Sequence, residues 1–355
     1  MTANHMSYPD FKNELLTQIR REFSPDYDIR ISSILKTNAV TLDSLMIYAP
    51  DCNLTPNIYL NYYYERYEKG LPFDAIFKEI LDCYQKRRTD PPFDVERFAD
   101  FAYIRHHLVF RLLKQSDNQN LLLEIPHIDF LDLAIVFAIL LEDQEGHHAS
   151  VLIHKSHLKA WGNPTMQDLL AIAKFNTPRL LPYTFEPMAE LLDQAPAPEE
   201  KGSADPLASS CPDDPLASSC PDDPLAPSCP DSDQLASPPL FVLGNQARLY
   251  GAATILYPEL LSDIAGKLSC DLIVIPSSIH EVLITPYTSL MCQKSLDDMV
   301  IQVNTAQVPR EDILSDHVYF FSREQGHLCL IFPDGNREES EALRQEAERM
   351  TIVPA

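Results

Sequence analysis

The sequence predicts an α+β fold, mainly antiparallel sheets with packed helices, interrupted by a disordered Pro/Asp-rich insert. Strand-like runs come in adjacent pairs around short polar turns, a pattern that hairpins produce and a regular βαβ alternation does not. Runs with helical spacing of apolar residues lie between those pairs. Near the middle, three nine-residue repeats break the pattern: Asp205–Asp213 reads DPLASSCPD, Asp214–Asp222 repeats it, and Asp223–Asp231 differs only at Pro227.

The chain opens with a helix, because Phe11, Leu15, Leu16 and Ile19 recur at helical spacing among charged residues. Strand runs follow at Tyr27–Ile34 and Val40–Tyr48. Pro56–Tyr67 is dense in tyrosine, and Tyr59, Tyr63 and Tyr67, four apart, would line one helical face as core packing or as a ligand platform. A helix is expected over Phe73–Arg87, ending in a solvated Lys86-Arg87-Arg88, then a mostly helical stretch from Val95 to Leu123 that includes His106 and His107. Phe130–Leu141 reads as a buried strand, Glu142–His148 as a polar turn and Ala149–His154 as its hairpin partner. Lys155–Trp161 reads as a short helix, and Met166–Phe175 as another that stops before Pro178. Beyond the repeats, Leu240–Leu243 is a strand and Pro258–Leu268 a helix with proline in its first turn. Asp271–Pro276 and Glu281–Thr285 are strands, Leu296–Val303 is helical, and Val318–Phe321 pairs with Leu328–Phe332. A charged helix is expected from Glu338.

The repeats belong to a stretch from Glu190 to Pro238 with 10 prolines, 11 acidic residues and one basic residue. Nine residues holding two prolines and one leucine cannot bury a face against a neighbour, which excludes a solenoid. The expectation is a self-repelling linker over 189–239. It separates an N-terminal α+β part, 8–188, from a C-terminal part, 240–335, packed on the first because neither has many strands alone. A charged helical tail covers 336–355. Cys211, Cys220 and Cys229 lack the close pairing that a zinc site needs.

The chain has 355 residues, 45 % of them hydrophobic, with 28 basic and 52 acidic side chains for a net charge of −24. Such a surface repels phosphate backbones and anionic lipid, which argues against nucleic acid or a membrane surface as partner. No run approaches the ~18 apolar residues that span a bilayer. The first ten residues lack a basic stretch followed by an apolar one, so a cytoplasmic location with reduced thiols is expected. With 9 glycines in all, phosphate-cradling loops are missing: there is no GxGxxG and no GxxxxGK[ST]. GxSxG, HExxH and CxxC are absent too. No cofactor is implied.

Two constellations carry chemistry. Asp271-Leu-Ile-Val-Ile-Pro-Ser277-Ser278-Ile-His280-Glu281 ends a strand in a turn holding two hydroxyls, an imidazole and a carboxylate. A serine nucleophile needs a base within hydrogen-bond reach and an acid that orients it. Ser278 and His280 share a face of an extended segment roughly 7 Å apart, and Asp271 or Asp316 would supply the acid. The same run reads more readily as a turn whose hydroxyls satisfy backbone groups and whose histidine packs. The second constellation is His147, His148, His154 and His157, whose imidazoles suit a transition metal if they converge and are otherwise surface histidines.

The runs KTNAVTLDSLMI (Lys36–Ile47), PNIYLNYYYERYEKG (Pro56–Gly70), IPHIDFLDLAIVF (Ile125–Phe137) and NTPRLLP (Asn176–Pro182) resemble a bacterial family known only as a domain of unknown function. So do GAATILYP (Gly251–Pro258), IPSSIHEVLITP (Ile275–Pro286) and LSDHVYFF (Leu314–Phe321). The likeness covers about residues 10–330 outside the linker and departs from the family pattern at Thr37, where a second Asn is expected beside Asn38. From Phe130 to Phe321 the chain is also loosely similar to a second uncharacterised bacterial family. Neither resemblance implies an activity, a cofactor or a catalytic residue. Three functional readings follow. The first is a non-catalytic binding or regulatory module acting through an intracellular protein partner, favoured by the missing catalytic motifs, the acidity and the abundant tyrosine. The second is a hydrolase-like enzyme using Ser277 or Ser278, His280 and a nearby carboxylate. The third is a metal-binding protein using the histidine cluster.

Overall fold

A computed structural model describes residues 6–50, 52, 55–88, 95–142, 148–194 and 238–330. The repeats, the expected tail and His147 lie outside the described residues.

The chain begins with α1 (Tyr8–Glu22), whose Phe11, Leu15 and Ile19 are buried as the periodicity requires. Strands β1 (Asp28–Leu35) and β2 (Thr41–Tyr48) form a hairpin in register from Asp28↔Tyr48 to Leu35↔Thr41, and β3 (Ile58–Tyr59) adds a third strand. Helices α2 (Leu60–Glu68) and α3 (Phe73–Arg87) complete this unit. Phe11, Leu45, Ile47, Leu60, Ile76, Ile80 and Tyr84 share one apolar cluster with Tyr63, Tyr64 and Tyr67 packed against it. Tyr63, Tyr64 and Tyr67 are therefore core packing. Tyr59 does not join the stripe: it ends β3 before the helix begins, and its ring carries the Lys36 ammonium 4.5 Å from its centroid.

The stretch expected to be helical from Val95 to Leu123 contains a strand. α4 (Val95–Ala99) and α5 (Phe101–Ile104) are short, His106 and His107 occupy a turn, and β4 (Leu108–Lys114) precedes α6 (Gln119–Glu124). β4 hides because Leu108, Phe110 and Leu112 face one core while Val109 and Leu113 face others. Burial on both faces erases the alternation that marks a strand. The run Phe130–Leu141 is likewise two elements, β5 (His127–Phe130) and β6 (Leu133–Glu142), folded back at Leu131–Asp132 with Leu131 at φ 57°. β7 (His148–Leu152) pairs with β6 in the expected hairpin.

After α7 (Lys155–Ala160), α8 (Met166–Leu180) runs past its predicted stop and contains Pro178. The residues before that proline are tied down. Asn176 Nδ2 donates to the carbonyls of Arg105 and Leu108, and Thr177 Oγ1 accepts from the Phe110 N–H and donates to the Ala173 carbonyl. β8 (Tyr183–Pro187) and α9 (Met188–Gln194) follow, so the first residues of the expected linker are helical.

On the far side of the repeats, β9 (Phe241–Asn245) pairs with β8. A 3₁₀ turn at Gly251–Leu256 leads to α10 (Leu260–Leu268), β10 (Leu272–Ser278), β11 (Glu281–Pro286) and α11 (Gln293–Ala306). β12 (Tyr319–Ser322) and β13 (His327–Cys329) form the last hairpin. The result is a three-stranded sheet, a six-stranded sheet ordered β13-β12-β10-β11-β9-β8, and a four-stranded sheet in which β6 pairs with β4, β5 and β7. Every pairing is antiparallel. The largest cluster joins Leu108, Phe110, Ile135 and Phe137 of the four-stranded sheet to Leu272, Val274, Ile284 and Tyr319 of the six-stranded one. Ile273 and Ile275, alternating with them, pack instead with Val300 of α11.

Candidate functional site

The β10–β11 turn puts Ser277, Ser278, His280 and Glu281 together, but as a closed hydrogen-bonded turn. Ser278 Oγ accepts from the backbone N–H of His280 at 3.0 Å, and Ser277 Oγ donates to Glu281 Oε1 at 3.4 Å. His280 Nδ1 accepts from the Tyr250 N–H at 3.3 Å. No serine hydroxyl bonds the imidazole in this turn. The carboxylate beside His280 is one the sequence reading did not single out: Asp312 Oδ1 lies 3.7 Å from Nε2. Asp271 sits at the opposite end of β10, where Oδ1 accepts from the Arg323 N–H. Asp316 binds Lys114 and Asn304 instead of turning to His280.

Backbone packing fixes this turn. The Gly251 position allows no side chain, since a Cβ there would stand 2.3 Å from the His280 carbonyl oxygen. The Ile279 N–H donates to the Asp312 carbonyl, and the Ala252 N–H to the Ile279 carbonyl. The segment that carries Asp312 is gripped by the tip of the β1–β2 hairpin. Asn38, buried at φ 54°, donates through Nδ2 to the carbonyls of Arg310 and Ile313, both at 2.8 Å. Asn38 Oδ1 accepts from Asn118 Nδ2, whose own Oδ1 accepts from the Asn38 N–H. Thr37 donates its hydroxyl to the Glu311 carbonyl at 2.6 Å.

Asn118 also donates to the Lys114 carbonyl, at the wall of a cleft of about 540 Å³. Lys114, Gln119, Leu122, Leu123, His127, Asp132, Asp316 and His317 line it. Several of its polar groups form one chain of bonds. Lys114 Nζ pairs with Asp316 and, at 3.4 Å, with Asp117. Asn304 Nδ2 bridges Asp316 Oδ1 and the Ser315 carbonyl, while Ser315 Oγ donates to Asp132 Oδ2 at 2.6 Å and the Tyr319 hydroxyl to Oδ1 at 2.8 Å. Burial by itself raises the Asp316 carboxyl, but hydrogen bonds from Lys114 and Asn304 outweigh it and hold the pKa below the ordinary value. Burial likewise lowers the Lys114 ammonium, and Asp316 and Asp117 more than reverse it. The Tyr319 hydroxyl is pushed far up by burial and by Asp132, so it stays protonated as a donor.

Of the histidine cluster, the side chains of His154 and His157 are described, with their rings 5.8 Å apart. His148 lies on β7, and His157 Nδ1 accepts from the His154 N–H at 3.2 Å at the start of α7. The His157 ring packs between Phe98 and Trp161, and burial, followed by His154, lowers its pKa. No group of three potential ligands able to hold a metal occurs among the described residues.

Asp316 was the one lining residue picked out from sequence, with a different partner in view. Lys114, Asp132, His127 and His317 were missed. The signal available was charge inside apolar runs: Lys114 closes LVFRLLK, Asp132 interrupts HIDFLDLAIVF, and Asp316-His317 interrupt LSDHVYFF. Two of the runs that carry the family resemblance thus meet at one cleft.

The profile of a family of unknown function (DUF5688) matches residues 8–323. No curated protein and no solved structure matches the chain.

Proposed function

The chain belongs to this family of unknown function, and we propose that it is a non-catalytic binding module acting through an intracellular protein partner. The observation that carries the reading is that the serine hydroxyls of the turn and the two carboxylates lining the cleft are already hydrogen-bonded within the fold. Ser277, Ser278, Asp132 and Asp316 bond within the fold, so what the surface offers is shape and charge, not a poised nucleophile and base. The cleft has an apolar lip in Leu123, which is 73 % exposed on α6. Asp132 and Asp316 line it with Lys114, and Asp117 and Asp129 flank it. Carboxylates outnumber the one lysine, which suits a partner segment with a basic side chain beside an apolar one. No helix among the described residues is long and apolar enough to cross a membrane.

The test is quantitative recovery of partners from native extract with the wild-type chain and with Leu123→Glu. Leu123 is exposed, so the substitution leaves the fold unperturbed. The expected result is one stoichiometric partner with the wild type and its loss with the variant. Recovery of no stoichiometric partner, or equal recovery by both chains, would count against the reading.

A further inference from the structure

Arg111 is a buried cation with no counter-charge among the described residues. Arg111 stands in the middle of β4, 7 % exposed. By register and alternation it shares a sheet face with Val109, Leu113, Val136 and Ala138. Its Nη1 donates to Ser150 Oγ at 3.3 Å, and its guanidinium carbon lies 3.4 Å from the centroid of the Tyr250 ring. Among the described residues no carboxylate pairs with it. Nε is buried without a hydrogen-bond partner, and Nη2 makes no hydrogen bond among those residues. Burial pushes the guanidinium pKa down, and the adjacent Tyr250 pushes it the other way. A ring face and one hydroxyl are small compensation for a desolvated charge, because unpaired buried ions are among the most destabilising features of a fold.

The covering loop is strained as well. Arg248 and Tyr250 both hold left-handed backbones, at φ 50° and φ 53°, a conformation that side chains other than Gly, Asn and Asp adopt at a cost. Such strain gathers at ligand sites and moving segments. Asn245 pins the loop through bonds to the Leu249 N–H and carbonyl, and the Tyr250 ring stacks on His280 at 5.6 Å.

We propose that Arg111 is the anchor of an oxyanion site, in which a small carboxylate or phosphate group seats on the free Nε–Nη2 edge of the guanidinium beneath Tyr250. That edge presents two parallel N–H groups whose spacing matches two oxygens of either anion, and only arginine offers it. Nη1 is left on Ser150. Entry requires the Gln246–Tyr250 loop to lift, which releases the two left-handed residues. The site is separate from the Leu123 cleft and stands whether or not a protein partner docks there.

The experiment uses the full chain with ¹⁵N-labelled arginine, titrated with inorganic phosphate, acetate or chloride at constant ionic strength. The Arg111 Nε–H resonance is identified by its disappearance in Arg111→Lys. A saturable shift of that resonance with phosphate or acetate, but not chloride, supports the site, and the anion that acts distinguishes a phosphate from a carboxylate ligand. The same anion raises the melting temperature of the wild type, and the concentration needed increases about tenfold or more in Arg111→Lys, which keeps the charge and loses the fork. No saturable shift up to roughly 20 mM, far beyond ordinary ligand affinities, overturns the proposal, as does an equal response to chloride or an undiminished melting shift in Arg111→Lys. If the variant does not fold, Arg111→Met tests the melting shift and the wild-type titration decides alone.

Discussion

Replacing Asn38 with alanine tests how the β1–β2 hairpin is fastened to the rest of the chain. Three side-chain hydrogen bonds disappear: two to the carbonyls of Arg310 and Ile313, and one from Asn118 Nδ2. At about 1 kcal/mol net per bond the loss is about 3 kcal/mol. Asn38 also holds φ 54°, where alanine adds about 1 kcal/mol of strain that asparagine largely avoids. The expected destabilisation is about 4 kcal/mol for Asn38→Ala and about 3 kcal/mol for Asn38→Gly, which tolerates the backbone but cannot bond. Asn38→Asp keeps the acceptor but sets a carboxylate against two carbonyls, and falls furthest. Urea denaturation read by two signals is the assay. The single tryptophan, Trp161, sits in the large core, while six of the fifteen tyrosines belong to the N-terminal cluster, so fluorescence and near-UV dichroism follow different units. The tyrosine transition should move to lower urea and separate from that of Trp161. A loss below about 1 kcal/mol, the worth of a single bond, would refute the reasoning.

Three further outcomes are expected. Asp316→Asn destabilises the protein at neutral pH. The folded-state pKa of Asp316 lies below the ordinary 3.8, so the ionised side chain contributes its full stability above that pH and loses it as pH falls through the folded value. The gap between variant and wild type should therefore be constant above about pH 5 and vanish in strong acid, as thermal melts across pH will show. Tyr319→Phe removes a buried donor to the Asp132 carboxylate and should cost about 2 kcal/mol by denaturation. Gly251→Ala places a Cβ against the backbone of His280, Asn245 and Gly244. Because none of these atoms can move alone, a loss above about 2 kcal/mol is expected, together with a shifted His280 ring resonance by NMR.

Amphipathic helices were legible wherever one face is buried and the other wet. α1 and α3 follow from Phe11, Leu15 and Ile19 and from Ile76, Ile80 and Tyr84. Hairpins were legible where polar turns separate apolar runs, as at β10–β11 and β12–β13. β4 was not, because burial on both faces left no period and Arg111, in its middle, mimics the polar face of a helix. The β5–β6 reversal was missed because it turns at Leu131-Asp132 without glycine or proline, at a left-handed leucine that only the folded context supports. Pro178 misled for a similar reason: Asn176 and Thr177 bind β4 and the turn before it, and tertiary bonds outweigh the one helix bond that proline removes. At the site, Ser277 through Glu281 were correctly seen as close, yet adjacency in sequence cannot tell a turn that satisfies itself from a catalytic array. The cleft was beyond reach, since Asp132 and Ser315 meet across 183 residues of chain.

Site-specific photo-crosslinking in living cells would show whether the Leu123 cleft receives a protein partner. A photoreactive phenylalanine analogue would replace Leu123, with Phe175, 66 % exposed on α8, as the control position. One dominant adduct is expected from position 123, reduced by Gln119→Arg at the cleft wall, and none of that adduct from position 175. No adduct at 123, or the same adducts from both positions, would contradict the docking of a partner there.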